Sequence, residues 1–124
     1  MVIIMSIKPS YAEKILKWEK VFELRKSFSK RTVKKVVIYE SAPISKVVGE
    51  FEIGEVLYEP LEDLWNHTKN LSCVNRKFFD QYFEWKKFWF AIKVKNPQRY
   101  KKHKMISDYW INFPPQSYMY LNIK

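Results

Sequence analysis

The chain has 124 residues, 47% of them hydrophobic and 18% aromatic, with a formal net charge of +10. That length suits one core of ordinary size, and the composition lies far from the polar, aromatic-poor chains that stay disordered, so a single domain over residues 1–124 is expected. The lone Cys73 excludes an intramolecular disulfide, two histidines without ligand spacing predict no metal, and no apolar run approaches the roughly 18 residues of a membrane span.

Val2 to Ile7 is a β-branched, apolar run closed by Pro9, the pattern of a buried first strand. It is too short for a leader and lacks a cleavage site, which points to a cytoplasmic protein. Ser10 and Glu13 have the spacing of a capping box, so a short helix is expected from about Tyr11 to Lys17, with Tyr11, Ile15 and Leu16 on its apolar side. Val21 to Lys26 alternates as a strand, placing Phe22 and Leu24 on one face and Val21, Glu23 and Arg25 on the other.

After the basic loop "SFSKRTVKK", Val36 to Glu40 reads as a strand buried on both sides. Lys46 to Glu59 reads as a long strand containing both of the chain's glycines, Gly49 and Gly54, where bulges or bends are expected. Pro60 opens a helix with Leu61, Leu64, Trp65 and Thr68 inward. Asn75 caps a second helix whose apolar side is Phe78, Phe79, Tyr82 and Phe83. "KFWFAIKVKN" follows as a strand with Phe88, Phe90, Ile92 and Val94 inward, and Trp85 or Trp89 is expected in the core. A short turn or helix after Ser107 and an extended segment from Gln116 to Ile123 complete the chain.

This order excludes a regular alternation of strands with crossover helices. It favours an α+β fold, a mostly antiparallel, bent sheet or small barrel of about six strands with flanking helices.

Excess Lys and Arg attract polyanions, making nucleic acid the leading partner class; solubility of an aromatic-rich domain is the plainer reading of the same charge. Residues 1–45 carry ten Lys/Arg against four Asp/Glu, and the basic character returns in "RYKKHK" at Arg99 to Lys104. No cofactor is expected, because two glycines cannot supply a dinucleotide-binding or Walker loop. His67 reads as a partly exposed structural histidine, His103 as a possible phosphate contact, and Cys73 as an inert thiol.

Lys20, Glu23 and Arg25 form the sharpest constellation. A carboxylate beside an ammonium adjusts its proton affinity, and a guanidinium can grip a phosphate or carboxylate at two points. The alternative is a salt-bridge ladder on an exposed strand face.

The arrangement "SIKPSYAEKILKWEKVFELRK", then "KKVVIYESAP" and "KVVGEFEIGEV", resembles the ASCH domain (activating signal cointegrator homology) of the PUA-like superfamily. The family motif G-x-K-x-x-E-x-R is matched at Lys20, Glu23 and Arg25, with Trp18 in the glycine's place. The resemblance implies a six-stranded PUA-like barrel with a cleft beside the first helix that binds RNA, DNA being a second possible partner. It implies that Lys20, Glu23 and Arg25 project toward that cleft with Lys8 nearby; Lys26, and Trp18 and Trp65 as rings that stack on unpaired bases, complete the expected cleft residues.

Some ASCH proteins resemble amidohydrolases that act on N4-acetylcytidine through a lysine, a threonine and a later glutamate. Lys20 matches the lysine, Glu23 stands at the threonine, and Glu59, Glu62 and Glu84 are candidates for the glutamate. Three functions follow from the resemblance: an RNA-binding module, a nucleoside hydrolase using Lys20 and Glu23, and a reader of a modified base.

Overall fold

The computed structural model describes residues 1–82 and 87–122, with Tyr82 described by its backbone alone. The expectations placed on Phe83, Glu84, Trp85 and Ile123, and on the Tyr82 side chain, lie outside that description. The elements are β1 (Val2–Ile7), α1 (Pro9–Leu16), β2 (Phe22–Arg25), β3 (Lys35–Glu40), β4 (Lys46–Pro60), α2 (Leu61–Thr68), α3 (Arg76–Tyr82), β5 (Phe88–Lys104), a 3-10 turn (Ile106–Tyr109) and β6 (Tyr118–Leu121). Their order agrees with the sequence reading.

The strands form one sheet in the order β2-β5-β4-β3-β1-β6. The β1–β3 ladder is parallel and the others are antiparallel. Long strands β4 and β5 shift register beside Gly49 and between Ile53 and Val56, which bends the sheet. A Cβ on Gly49 would lie 2.5 Å from the Gln98 carbonyl oxygen and 2.8 Å from Leu16 Cδ2. Only glycine lets α1 and β5 approach the strand so closely.

This is the bent, mostly antiparallel six-stranded α+β arrangement expected from sequence; its hydrogen-bonded sheet ends at β2 and β6, and side chains span the seam between them. The Arg25 guanidinium donates to the Ser6 carbonyl at 2.7 Å and to Ser117 Oγ at 3.3 Å. Further along, Phe28 rests between Phe90 and Tyr118, and the Ser29 and Tyr120 hydroxyls share a hydrogen bond.

Buried side chains fall into three clusters rather than one core, because both sheet faces are covered. The first joins Ile3, Met5, Ile38, Phe51 and Ile92 to Ile15 and Leu16 of α1. The second packs Phe22, Leu24, Trp89 and Ala91 beneath Leu64 of α2 and Phe79 of α3. The third gathers Ile4, Val37, Tyr39, Val47 and Leu121, with residues of the 3-10 turn against them.

Two local expectations are corrected. The Ser10 capping box does not form: Pro9, whose fixed φ suits a first turn, starts the helix earlier with Lys8 at the N-cap and no side-chain cap. Glu13 instead pairs with Arg99 at 2.8 Å. In β5, Ile92 and Val94 do face the α1 side. Phe88 is exposed and Phe90 half-buried, however, while Trp89 and Ala91 on the opposite face are buried beneath α2 and α3. Alternation was read correctly, but a strand covered on both faces does not reveal which face is drier at each end. Asn75 does cap α3, its Oδ1 accepting from the Phe78 amide at 2.8 Å.

Candidate functional site

The helix α1 ends in a tight reversal. Amides of Glu19 and Lys20 both donate to the Lys14 carbonyl, and Trp18 takes a left-handed backbone with φ 66°. Trp18 thus accepts the conformation that glycine adopts most readily. The reversal aims Lys20 inward, and β2 alternation then turns Glu23 and Arg25 to the same side.

There the seam opens into a cavity of about 290 Å³. Lys8, Tyr11, Lys20, Glu23, Arg25 and Phe78 are among its walls. Lys20 is only 1% exposed and Glu23 only 5%, so the charged trio is internal and not the exposed strand ladder considered from sequence. The Lys20 ammonium donates to the Ser72 carbonyl, lies 3.8 Å from Glu23 Oε1 and sits 4.8 Å from the centre of the Tyr11 ring. Arg25 Nη2 lies 3.4 Å from the other Glu23 oxygen. Its Nε–H is buried with no acceptor among the described residues.

Burial lowers the Lys20 pKa, with Glu23 opposing that shift and Arg25 adding to it. Burial, then the Glu23 charge, raises that of the Tyr11 phenol. The cavity therefore combines a restrained carboxylate, three basic side chains and aromatic walls. It can donate to a carbonyl, accept from an N–H and cover a flat ring.

Of the seven residues expected at the cleft, Lys8, Lys20, Glu23 and Arg25 converge here. Trp18 is 65% exposed and lines a separate shallow groove with Asn96 and Gln98. The turn that brings Lys20 inward carries the Trp18 ring outward. Trp65 packs against Phe79 in the cluster under α2, with Arg76 over its ring. Lys26, beyond the end of β2, lines another groove with Phe28 and Phe88.

Neither Glu59 nor Glu62 lines the cavity, since Glu59 holds His67 at 2.8 Å and Glu62 holds Arg76. His103 borders a surface groove beside Arg99. Cys73 Sγ lies 3.6 Å from the Glu19 carbonyl. Tyr11 and Phe78 were read only as apolar helix residues; their roles as walls depend on α1 and α3 meeting, which local periodicity does not encode. Among the described residues no cluster of His, Cys, Asp and Glu could hold a metal, and no helix is long and apolar enough to cross a membrane.

The ASCH protein of Zymomonas mobilis superposes with a TM-score of 0.89 at 19% identity, covering 98% of this chain and 87% of that one. A point variant of it gives 0.90. The N-terminal domain of Staphylothermus marinus McrB is a more distant fold neighbour, with a TM-score of 0.50 at 10% identity over 86% of this chain and 77% of that one. In sequence, the chain is 30% identical over 89 residues to large ribosomal subunit protein uL22 of Ureaplasma parvum, 72% of this chain and 29% of that protein. It is 29% identical over 120 residues to ATP synthase subunit alpha of the same organism, 96% of this chain and 15% of that protein. The chain thus spans less than a third of either curated relative.

The family model for the ASCH domain, a PUA-like fold linked to RNA binding, matches residues 5–98 and takes in every cavity residue but Gln116. With most of its length matched by the family model and its fold superposing on an ASCH structure, this chain belongs to the ASCH domain family.

Proposed function

We propose that the domain binds single-stranded RNA and holds one unpaired base in the seam cavity. The observation that carries this is the base-sized cavity of about 290 Å³ with a buried Lys20, Glu23 and Arg25 set among aromatic walls. Pockets for larger drug-like ligands extend to about 1,000 Å³, so this one favours a single flat ring.

A base edge presents both donors and acceptors. Lys20 and the Arg25 guanidinium edge meet carbonyl or ring-nitrogen acceptors, and Glu23 meets an amino group. Backbone phosphates remain outside, where Lys8 and the general excess of positive charge favour them. A modified base would use the same site. With its one cysteine free, the domain also suits the reducing cytoplasm.

Titration of labelled single-stranded RNA at rising salt is expected to show binding that weakens with ionic strength and is reduced by Glu23→Gln. No binding by the wild type at low salt would refute the reading.

A second reading is favoured by the lowered pKa of Lys20. A neutral Lys20 amine could take a proton from water as the water oxygen attacks an N4-acetyl carbonyl. Breaking the C–N bond, with that proton passed to N4, would yield acetate and cytidine. Acetate release from N4-acetylcytidine, lost in Lys20→Ala, would support it; an inactive wild type would remove it.

A further inference from the structure

Beyond the cavity, the seam carries a row of aromatic rings that the base-binding site does not use. Phe88 lies 5.4 Å from Tyr58, and Tyr58 lies 4.6 Å from Phe90, between ring centres. Phe90 is 6.3 Å from Phe28, Phe28 is 5.8 Å from Tyr118, and Tyr118 is 5.9 Å from Tyr120. The row thus crosses from β4 and β5 to β6.

We propose that this row is a stacking platform for the unpaired bases flanking the one held in the cavity, with a single-stranded polynucleotide as its ligand. The inference rests on the base-cavity reading and adds the path of the strand.

Tyr58 remains 58% exposed and Phe88 43%, although each already touches another ring. Their groove, about 570 Å³, is also lined by Lys26, Lys30 and Lys87, and no acidic side chain lines it among the described residues. Arg31 lies over the Tyr120 ring at the far end, 5.0 Å from its centre. An apolar protein partner would gain nothing from cations of one sign around the rings. A polyanion with a flat ring on every unit matches both features, because phosphates take the ammonium groups and bases take the ring faces.

The groove also lies next to the cavity along the β2–β5 ladder. Arg25, a cavity wall, pairs with Phe90 across the β2–β5 ladder, and Lys26, the next residue, lines the groove. One nucleotide in the cavity therefore leaves its neighbours directed along the rings. Stacking is tolerant of sequence, so the row would supply affinity while the cavity supplies base choice.

The test uses fluorescence anisotropy of a labelled oligocytidine dodecamer at low salt. The pair Tyr58→Ala with Phe88→Ala is expected to weaken binding roughly 10- to 100-fold, since alanine substitution removes one or more stacked bases. Tryptophan at both positions restores it. Lys30→Glu, an exposed loop change, weakens binding with the rings intact and separates the assignment from any folding defect of the alanine pair.

If the alanine pair binds within twofold of wild type, the platform is overturned; weakening by Glu23→Gln in the same assay would leave the cavity reading standing. Loss in the alanine pair but not in Glu23→Gln keeps the platform and removes the base-filled cavity. A wild type that binds no single strand sinks both. Self-association of the wild type in sedimentation, abolished by the alanine pair and unaffected by oligonucleotide, would assign the row to a second copy and overturn the proposal.

Discussion

Replacing Lys20 with methionine preserves chain length and removes one charge from an enclosed ion pair. Glu23 is then left with Arg25 alone, at 3.4 Å, and the Ser72 carbonyl loses the ammonium donor. Removing one member of a buried pair costs about 3–5 kcal/mol when the remaining charge has no other partner. Arg25 still faces Glu23, so the lower end, about 3 kcal/mol, is expected; for a domain of this size that lowers Tm by on the order of 10 °C. The double variant Lys20→Met with Glu23→Gln should recover much of the loss, because no uncompensated carboxylate remains.

Urea denaturation followed by tryptophan fluorescence measures both. The same pair of proteins tests the lowered pKa. Between the lowered folded value and the ordinary 10.5, the unfolded chain binds more protons, so wild-type stability rises with pH through that window. It is greatest above 10.5 and declines as pH falls to the folded value, and the advantage of wild type over Lys20→Met should grow accordingly. A single variant within 1 kcal/mol of wild type, roughly the cost of an exposed pair, would refute the buried-pair argument. A pH-independent difference would refute the burial-driven shift.

Gly49→Ala should destabilise by about 3 kcal/mol or more, since its Cβ meets a backbone carbonyl as well as Leu16. Gly54→Ala, whose nearest neighbour would be Lys93 Cδ at 3.5 Å, should be neutral or stabilising by about 0.5 kcal/mol; equal effects in urea melts would refute the contrast. Trp18→Gly should stabilise by about 0.5–1 kcal/mol, because it relieves a left-handed backbone at an exposed side chain, and a clear loss of stability would show that the ring contributes packing. His67 should titrate above 6.5 by NMR because Glu59 favours its protonated form, and Glu59→Gln should return it toward that value. An unchanged titration would separate the two groups in solution.

Element order was readable because each signal is local. The β-branched run of β1, the proline before α2 and the Asn75 cap act within a few residues. Gly49 and Gly54 stood out for the same reason, and the register of β4 does shift near both. The joint orientation of Glu23 and Arg25 also followed from strand alternation. Their burial did not, because it depends on Phe78 of α3 and Tyr11 of α1 meeting edge to face at the cavity wall. The place of Trp18 shows the same limit: its position in the motif suggested the cleft, while the sign of its φ sends the ring elsewhere.

The distribution of charge separates attraction from selection. Described acids are largely committed to local partners: Glu13 to Arg99, Glu50 to Lys35, and both Glu62 and Asp80 to Arg76. The segment from Lys26 to Lys35, by contrast, has five cations and no acid. Such a surface attracts any polyanion and is screened by salt, so it cannot choose a base. Glu23 is buried, as Glu40 is, and it is enclosed with two cations where water is scarce and each hydrogen-bonding group has a fixed direction. If a base enters the cavity as proposed, a misplaced donor or acceptor there is costly enough to discriminate.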